Sequence, residues 1–81
     1  MSENIISPLP GIFYRKPAPD KEPYINEGDT VEVGQTIGLV EIMKQFTEVR
    51  SELAGTIVEF RVDDSAMVNP GDVLAVVENN S

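Results

Sequence analysis

The chain repeats itself, and this repeat limits the folds open to it more than any other feature of the sequence. At a spacing of 37 residues, Val31–Glu41 aligns with Val68–Glu78 and keeps Val, Gly and Glu positions. At a spacing of 44 residues, Ser7–Gly11 aligns with Ser51–Gly55 and keeps Ser, Leu and Gly. The repeat predicts two similar halves related by a pseudo-twofold axis. The difference between the spacings predicts a seven-residue insertion in the first half.

The segments between the turns favour β-strands. Gly, Pro, Asn and Asp recur about every ten residues, which leaves no stretch long enough for an ordinary helix. The segments themselves are rich in β-branched and aromatic residues, as in Thr36–Val40 and Gly55–Phe60. Gly34 and Gly71 lie at equivalent places in the repeat and are expected to supply turns with positive φ. We therefore predict an all-β sandwich or barrel made of two similar halves, with Phe46 in its core.

Composition excludes several classes of function. The 81 residues suffice for one domain, and 14 acidic against 6 basic residues give a net charge of −8, which opposes binding to nucleic acid or an anionic membrane. The chain has no Cys and no His, which removes disulfides, thiolate zinc sites and His-based catalytic relays. No signal peptide, apolar span or metal-site spacing of carboxylates is present. We expect a cytoplasmic protein without catalytic activity of its own.

A lysine occupies the join between the two halves. Apolar strand residues run up to Met43 and resume at Phe46, so Met43-Lys44-Gln45 is predicted to form a tight turn between antiparallel strands. A lysine at a turn is ordinary by itself, but this one lies where a symmetric fold presents a protruding tip. Its amine can attack an activated carboxyl group once a partner enzyme has deprotonated it. The acylated side chain then becomes a mobile arm that serves two active sites.

The residues around Lys44 resemble the attachment motif of biotinyl domains, which belong to biotin-dependent carboxylases and share a fold with lipoyl domains. Val40–Lys44 is Val-Glu-Ile-Met-Lys, similar to the family signature Val-Glu-Ala-Met-Lys, although Gln replaces the Met that commonly follows the lysine. Lipoyl domains usually have an acidic residue before the lysine, so the Met favours biotin. The resemblance implies a flattened barrel-sandwich hybrid with biotin on Lys44. The motif carried over consists of Glu41, Ile42, Met43, Lys44 and Gln45.

The insertion, which falls between Gly11 and Val31, resembles the thumb loop of carriers from bacterial-type acetyl-CoA carboxylase. Phe13–Asp20 is Phe-Tyr-Arg-Lys-Pro-Ala-Pro-Asp, similar to the family string Phe-Tyr-Arg-Thr-Pro-Ser-Pro-Asp. The family's thumb lies over the biotin, which implies cofactor contacts here; the alternative is a proline-stiffened surface loop without a role. The candidate contact residues are Tyr14, Arg15, Lys16, Pro17, Ala18, Pro19 and Asp20.

The resemblance implies a biotin carboxyl carrier. A biotin protein ligase would modify Lys44, a biotin carboxylase would load a carboxyl group, and a carboxyltransferase would transfer it to acetyl-CoA for fatty acid biosynthesis. Two alternatives remain open: a short carrier of another small-molecule carboxylase, and a lipoyl-type swinging arm. We expect one domain over residues 1–81, with a core at about 6–78, a thumb at about 14–23 and an attachment hairpin at about 42–46.

Overall fold

The computed structural model describes residues 2–79, which form eight β-strands. The strands are β1 (Ser2–Ile6), β2 (Gly11–Tyr14), β3 (Thr30–Val31), β4 (Thr36–Ile42), β5 (Gln45–Arg50), β6 (Gly55–Phe60), β7 (Ala66–Val68) and β8 (Val73–Glu78). Residues 2–79 contain no helix long and apolar enough to cross a membrane. The predicted all-β fold is confirmed; of the expected domain, residues 1, 80 and 81 lie outside the described part.

The strands form two antiparallel sheets of four strands each. One has the order β5-β4-β2-β7, and we call it the lysine sheet because Lys44 follows β4; the other, β1-β8-β6-β3, is the opposite sheet. The repeat spacings relate β1 to β5, β2 to β6, β3 to β7 and β4 to β8, and this exchange converts one strand order into the other. The predicted pseudo-twofold relation is therefore confirmed. The molecule is flattened, with principal dimensions of 38 × 27 × 20 Å.

Equivalent backbone hydrogen bonds join the two halves. The Gly34 N–H donates to the carbonyl of Ser51 at 2.7 Å, and the Gly71 N–H donates to the carbonyl of Ser7 at 2.9 Å. Both glycines have positive φ, 87° and 90°, as the sequence predicts for turns that side chains disfavour. A carbonyl group of each half thus accepts a hydrogen bond from the glycine turn of the other half.

The core lies between the sheets and draws side chains from both. Phe13 and Val40 of the lysine sheet and Ile57 and Leu74 of the opposite sheet are all fully buried. Fully burying one such side chain contributes roughly 1.5–3 kcal/mol of transfer free energy. Because successive residues of a strand face opposite sides, these residues also determine which neighbours face solvent.

The prediction that Phe46 belongs to the core is wrong, since the residue is 59% exposed. In β5 the residue that enters the core is Val49, which is 3% exposed. Phe46 lies three positions before it, and an odd spacing places a strand residue on the opposite face. The aromatic ring of Phe46 therefore lies on the outer face of the lysine sheet.

The insertion forms the loop between β2 and β3, at residues 15–29, whereas its counterpart between β6 and β7 covers only residues 61–65. We call residues 15–23 the thumb. At its base the Tyr24 N–H donates to the Arg15 carbonyl, and within it the Lys21 N–H donates to the Ala18 carbonyl, both at 3.0 Å. These backbone bonds close the loop on itself beside β2.

Two buried serines occupy equivalent positions in the halves, and each is 1% exposed. The Ser7 hydroxyl donates to the Leu9 carbonyl at 2.7 Å, and the Ser51 hydroxyl donates to the Leu53 carbonyl at the same distance. Ser51 also accepts a bond from the Leu53 N–H at 3.0 Å. The Ser that both halves of the repeat contain thus forms a buried hydrogen bond within the turn of each half.

We predict that Ser7→Ala and Ser51→Ala each lower the free energy of unfolding by about 1–2 kcal/mol, because a partly buried carbonyl loses its donor. Ser51→Ala should lower the free energy of unfolding more than Ser7→Ala does, since it also removes the acceptor of the Leu53 N–H. Ser2→Ala is the control: Ser2 is exposed, and the change should stay within about 0.5 kcal/mol. Urea unfolding followed by far-UV circular dichroism measures all three. Equal, near-zero effects would contradict the buried hydrogen bonds.

Candidate functional site

The turn between β4 and β5 presents Lys44. Ile42 pairs with Gln45, so the hairpin loop consists of Met43 and Lys44 alone. The predicted turn included Gln45, but strand pairing continues to this residue and shortens the loop by one. Met43 is 90% exposed, and Lys44 is exposed as well. Within residues 2–79, no ion-pair partner faces the Lys44 amine.

Both loop residues have left-handed backbone conformations, with φ of 51° at Met43 and 68° at Lys44. Two-residue hairpins with positive φ at both positions strongly prefer Asn-Gly, because a Cβ disfavours this conformation by roughly 1–2 kcal/mol per residue. Met and Lys are therefore poor choices for the stability of this turn. Residues in such conformations cluster at functional sites, where another requirement selects them.

Glu41 is held by a tyrosine of the neighbouring strand. The Tyr14 hydroxyl donates to Glu41 Oε1 at 2.8 Å. The pKa of Tyr14 is raised, first by this hydrogen bond, then by partial burial and by the negative charges of Glu41 and Asp64. The phenol therefore stays protonated at neutral pH and remains a donor. This contact fixes the start of the thumb to the strand that leads into the Lys44 turn.

A groove of about 470 Å³ lies on the outer face of the lysine sheet, between the sheet and the thumb. Leu39, paired with Tyr14, forms part of its floor, and the rings of Tyr14 and Phe46 lie 6.2 Å apart at its side. Leu39 is three strand residues before Ile42, or about 10 Å from the turn. We call this feature the thumb groove. Its lining comprises Tyr14, Lys16, Pro17, Ala18, Pro19, Leu39, Phe46, Asp64 and Ser65.

Two of the seven thumb candidates do not line this groove. Arg15 points to the other side of the chain, where its guanidinium lies 4.0 Å from the centre of the Phe60 ring, a cation–π contact. Its backbone N–H donates to Asp64 Oδ1 at 2.7 Å. Asp20 is exposed and outside the lining. Arg15 therefore anchors the thumb to the opposite sheet, and the remaining five candidates face the groove.

Sequence reasoning named Glu41 but missed the row of residues beside the turn to which it belongs. Met67, Ile12, Glu41 and Phe46 pair in register across all four strands of the lysine sheet. They face outward because Phe13 and Val40, which follow Ile12 and precede Glu41, are buried. We call these four residues the outer row. Met67 is 82% and Phe46 is 59% exposed.

The opposite sheet has an equivalent row with different chemistry. The counterparts of Met67, Ile12, Glu41 and Phe46 under the repeat spacings are Thr30, Thr56, Glu78 and Ser2, which also pair in register. The carboxylate is kept, while each apolar residue is replaced by a hydroxyl residue. The signal was available in the sequence, as a difference in polarity between aligned positions of the repeat. Apolar side chains are thus exposed in the row next to the lysine turn and absent from the equivalent four-residue row, although Ile6 and Val58 are exposed elsewhere on the opposite sheet.

The fold and the site define a class of protein: the small β-domains that present one lysine at a hairpin tip, of which biotinyl and lipoyl domains are the known examples. The chain belongs to the biotin-requiring enzyme family of biotin/lipoyl attachment domains, whose model matches residues 3–77. The resemblance stated from the sequence is confirmed. This family and the names of the relatives below imply covalently bound biotin as the cofactor.

Three relatives are named biotin carboxyl carrier protein of acetyl-CoA carboxylase. The one from Pyropia yezoensis is 39% identical over 74 residues, which cover 91% of this chain and 47% of the relative. A chloroplastic one from Arabidopsis thaliana is 42% identical over 72 residues, 89% of this chain and 26% of the relative. One from Streptococcus pyogenes is 38% identical over 72 residues, 89% of this chain and 43% of the relative. The chain thus spans less than half the length of these relatives.

The fold is also found within a much larger enzyme. The crystal structure of the Kluyveromyces lactis urea carboxylase matches with a TM-score of 0.77 and 27% identity, over 96% of this chain and 6% of that chain. The two-sheet architecture thus also occurs within this carboxylase.

We predict that Lys44→Gly raises the free energy of unfolding by about 1 kcal/mol, because glycine adopts positive φ without steric cost. Gln45→Gly is the matched control one residue away, in a strand with ordinary φ, and should lower it by about 0.5–1 kcal/mol. Urea unfolding compares the two variants with the wild type. A loss of stability in both would contradict the left-handed conformation of Lys44.

Proposed function

We propose that this chain is a biotin carboxyl carrier domain in which biotin is joined by an amide to Lys44. The observation that carries the proposal is the Met43–Lys44 turn, where two exposed residues hold an unfavourable backbone conformation in a family that requires biotin. In this role the deprotonated Lys44 amine attacks the carboxyl carbon of biotinyl-adenylate, the C–O bond to the AMP leaving group breaks as the C–N bond forms, and the amine nitrogen loses a proton to give the amide. The four-carbon stem of the lysine then becomes the first part of the arm.

The residues of the thumb groove fit the cofactor. Biotin is a small bicyclic ring on an aliphatic chain, with one polar ureido edge, and when bound it supplies a ring nitrogen that carries the carboxyl group. Leu39, Tyr14 and Phe46 offer apolar surface, while Lys16 and Ser65 offer polar groups at the rim. A groove about 10 Å from the turn is within reach of a lysine lengthened by the biotin chain. We propose that the groove shelters the ring between visits to partners.

The relatives support a place in acetyl-CoA carboxylase, and hence in fatty acid biosynthesis. In this proposal a biotin protein ligase modifies Lys44, a biotin carboxylase loads the carboxyl group and a carboxyltransferase unloads it. The chain contributes the arm, and its partners make and break the bonds. A cytoplasmic location stays a prediction from the sequence.

A carrier for a different carboxylase is the second candidate, favoured by the structural match to urea carboxylase. The two candidates differ in the acceptor of the carboxyl group. Transfer of labelled carboxyl from the biotinylated domain to acetyl-CoA, compared with transfer to urea, distinguishes them when the corresponding carboxyltransferase is supplied.

We predict that Lys44→Arg abolishes biotin attachment and leaves the free energy of unfolding within about 0.5 kcal/mol of the wild type, since charge and exposure are retained. Intact mass after incubation with biotin protein ligase, ATP and biotin measures the adduct, and peptide mapping locates it. The double variant Met43→Lys with Lys44→Met moves the lysine by one residue and should also lose attachment. A biotinylated Lys44→Arg chain would contradict the assigned site.

We predict that biotinylation shifts the NMR signals of Tyr14 and Ala18, which line the thumb groove, because an attached ring there changes their surroundings. Leu74 is the control, since it is fully buried in the opposite sheet, outside the groove lining, and its amide should stay unchanged. Ala18→Trp fills the groove and should abolish the shift of the Tyr14 ring while attachment proceeds. Unchanged Tyr14 and Ala18 signals in the biotinylated domain would contradict binding of the ring in the thumb groove, and the thumb would then be a surface loop without a role in cofactor binding.

A further inference from the structure

Ser65 lines the thumb groove from a wall that does not belong to the thumb. It is the last residue of the loop between β6 and β7, and its φ of 70° is left-handed. In the described range 2–79, Met43 and Lys44 are the other non-glycine residues with a positive φ. A Cβ disfavours this conformation, whereas glycine adopts it without steric cost. Stability alone therefore favours glycine at this position.

The repeat supplies a glycine for comparison. At the spacing of 37 residues, Ser65 corresponds to Gly28, whose φ is 92°. The Gly28 N–H donates to the Ile57 carbonyl at 2.7 Å. The Ser65 N–H donates at the same distance to the carbonyl of Phe13, the counterpart of Ile57. The two turns are thus alike in conformation and hydrogen bonding, and only the one that lines the thumb groove has serine in place of glycine.

The hydroxyl of Ser65 takes no part in holding the turn. Ser65 is exposed, and its hydroxyl forms no hydrogen bond with the part of the chain that the structure describes. The side-chain contact of this turn comes from Asp64, whose Oδ1 accepts a bond from the Arg15 N–H at 2.7 Å. In the equivalent turn, Glu27 Oε2 accepts a bond from the Phe60 N–H at 2.9 Å. Each turn is therefore held by an acidic side chain, and the serine hydroxyl is free to bind a group in the groove.

The wall at Ser65 lies within reach of an arm on Lys44. In the register of the lysine sheet, Ser65 lies beside the row of Leu39, three residues along and two strands across from the end of β4. At the usual spacings this separation is about 14 Å. A biotinylated lysine has about eleven bonds between its Cα and the ring, and an extended chain advances roughly 1.2 Å per bond. The extended arm therefore brings the ring to this wall.

We propose that the Ser65 hydroxyl binds the ureido edge of the ring on Lys44, which rests on the proposed function. The hydroxyl donates a hydrogen bond to the ureido oxygen, which is the carbonyl acceptor of that edge. The contact comes from the loop that faces the thumb, so the ring is held between two walls. It also favours biotin over a lipoyl group, whose ring offers the hydroxyl only weak sulfur acceptors.

The test exchanges the residues of the two equivalent turns. Ser65→Gly should raise the urea concentration at half-unfolding, because glycine suits the left-handed conformation. In the biotinylated chain it should also lower the ratio of groove-bound to free ring about fivefold, the effect of one neutral hydrogen bond. Ser65→Ala keeps the Cβ and should lower this ratio equally. Gly28→Ser places the hydroxyl in the turn of the opposite sheet and is the matched control, with an unchanged ratio.

The ratio is measured by NMR on chains that carry biotin labelled with heavy nitrogen in its ureido group. The signals of a free biotin amide mark the unbound ring, and intact mass verifies attachment in each variant. An unchanged ratio in Ser65→Gly or in Ser65→Ala would overturn the proposal, and so would an equal fall in Gly28→Ser. Wild-type chains that are biotinylated but give the ureido signals of the free amide would overturn it as well. Absence of an adduct on wild-type Lys44 would instead overturn the proposed function, and the Ser65 contact with it.

Discussion

The burial of Phe13 is the interaction on which both the fold and the site depend. Its ring is fully buried, lies 6.4 Å from the Phe60 ring and fills the space that Gly38 leaves empty: a Cβ at residue 38 would lie 2.5 Å from Phe13 Cε1. Because strand residues alternate, burying Phe13 turns Ile12 and Tyr14 outward. One of these belongs to the outer row and the other to the thumb groove. The packing of the core therefore decides where the side chains of the candidate site lie.

The features that suggest function are those in which the two halves differ. The symmetric parts are structural: the paired strands, the buried Ser7 and Ser51, and the glycine turns that join the halves. The asymmetric parts are the thumb, the apolar outer row and the Lys44 turn. Within residues 2–79 the turn has no hairpin counterpart, and the equivalent place lies beside the pairing of Ser2 with Glu78 in β1 and β8. A duplicated scaffold thus supplies stability, and the departures from the repeat lie on the sheet that presents Lys44 and on the loop that follows β2.

Much of this organisation was predictable from the sequence, and the failures have physical causes. The repeat predicted two similar halves related by a pseudo-twofold axis, and the positive φ at Gly34 and Gly71 followed from their equivalent positions in it. Phe46 was misplaced because composition suggests burial, whereas the phase of a strand relative to Val49 decides it. The role of Arg15 was not visible, since its cation–π partner Phe60 is distant in the chain. The outer row required the register between strands, which no local pattern contains.

The position of the lysine explains why the chain keeps an unfavourable turn. Ile42 and Gln45 close the strand ladder, so only two residues project beyond the sheet, and both must be left-handed to match the twist of the flanking strands. A lysine one residue earlier or later would point its amine in a different direction relative to the outer row and the thumb groove. The steric cost at Met43 and Lys44 is roughly 1–2 kcal/mol each, which the burial of one or two core side chains offsets. The closed two-sheet core therefore allows this small domain to hold the backbone of Lys44 in an unfavourable conformation at the end of the sheet.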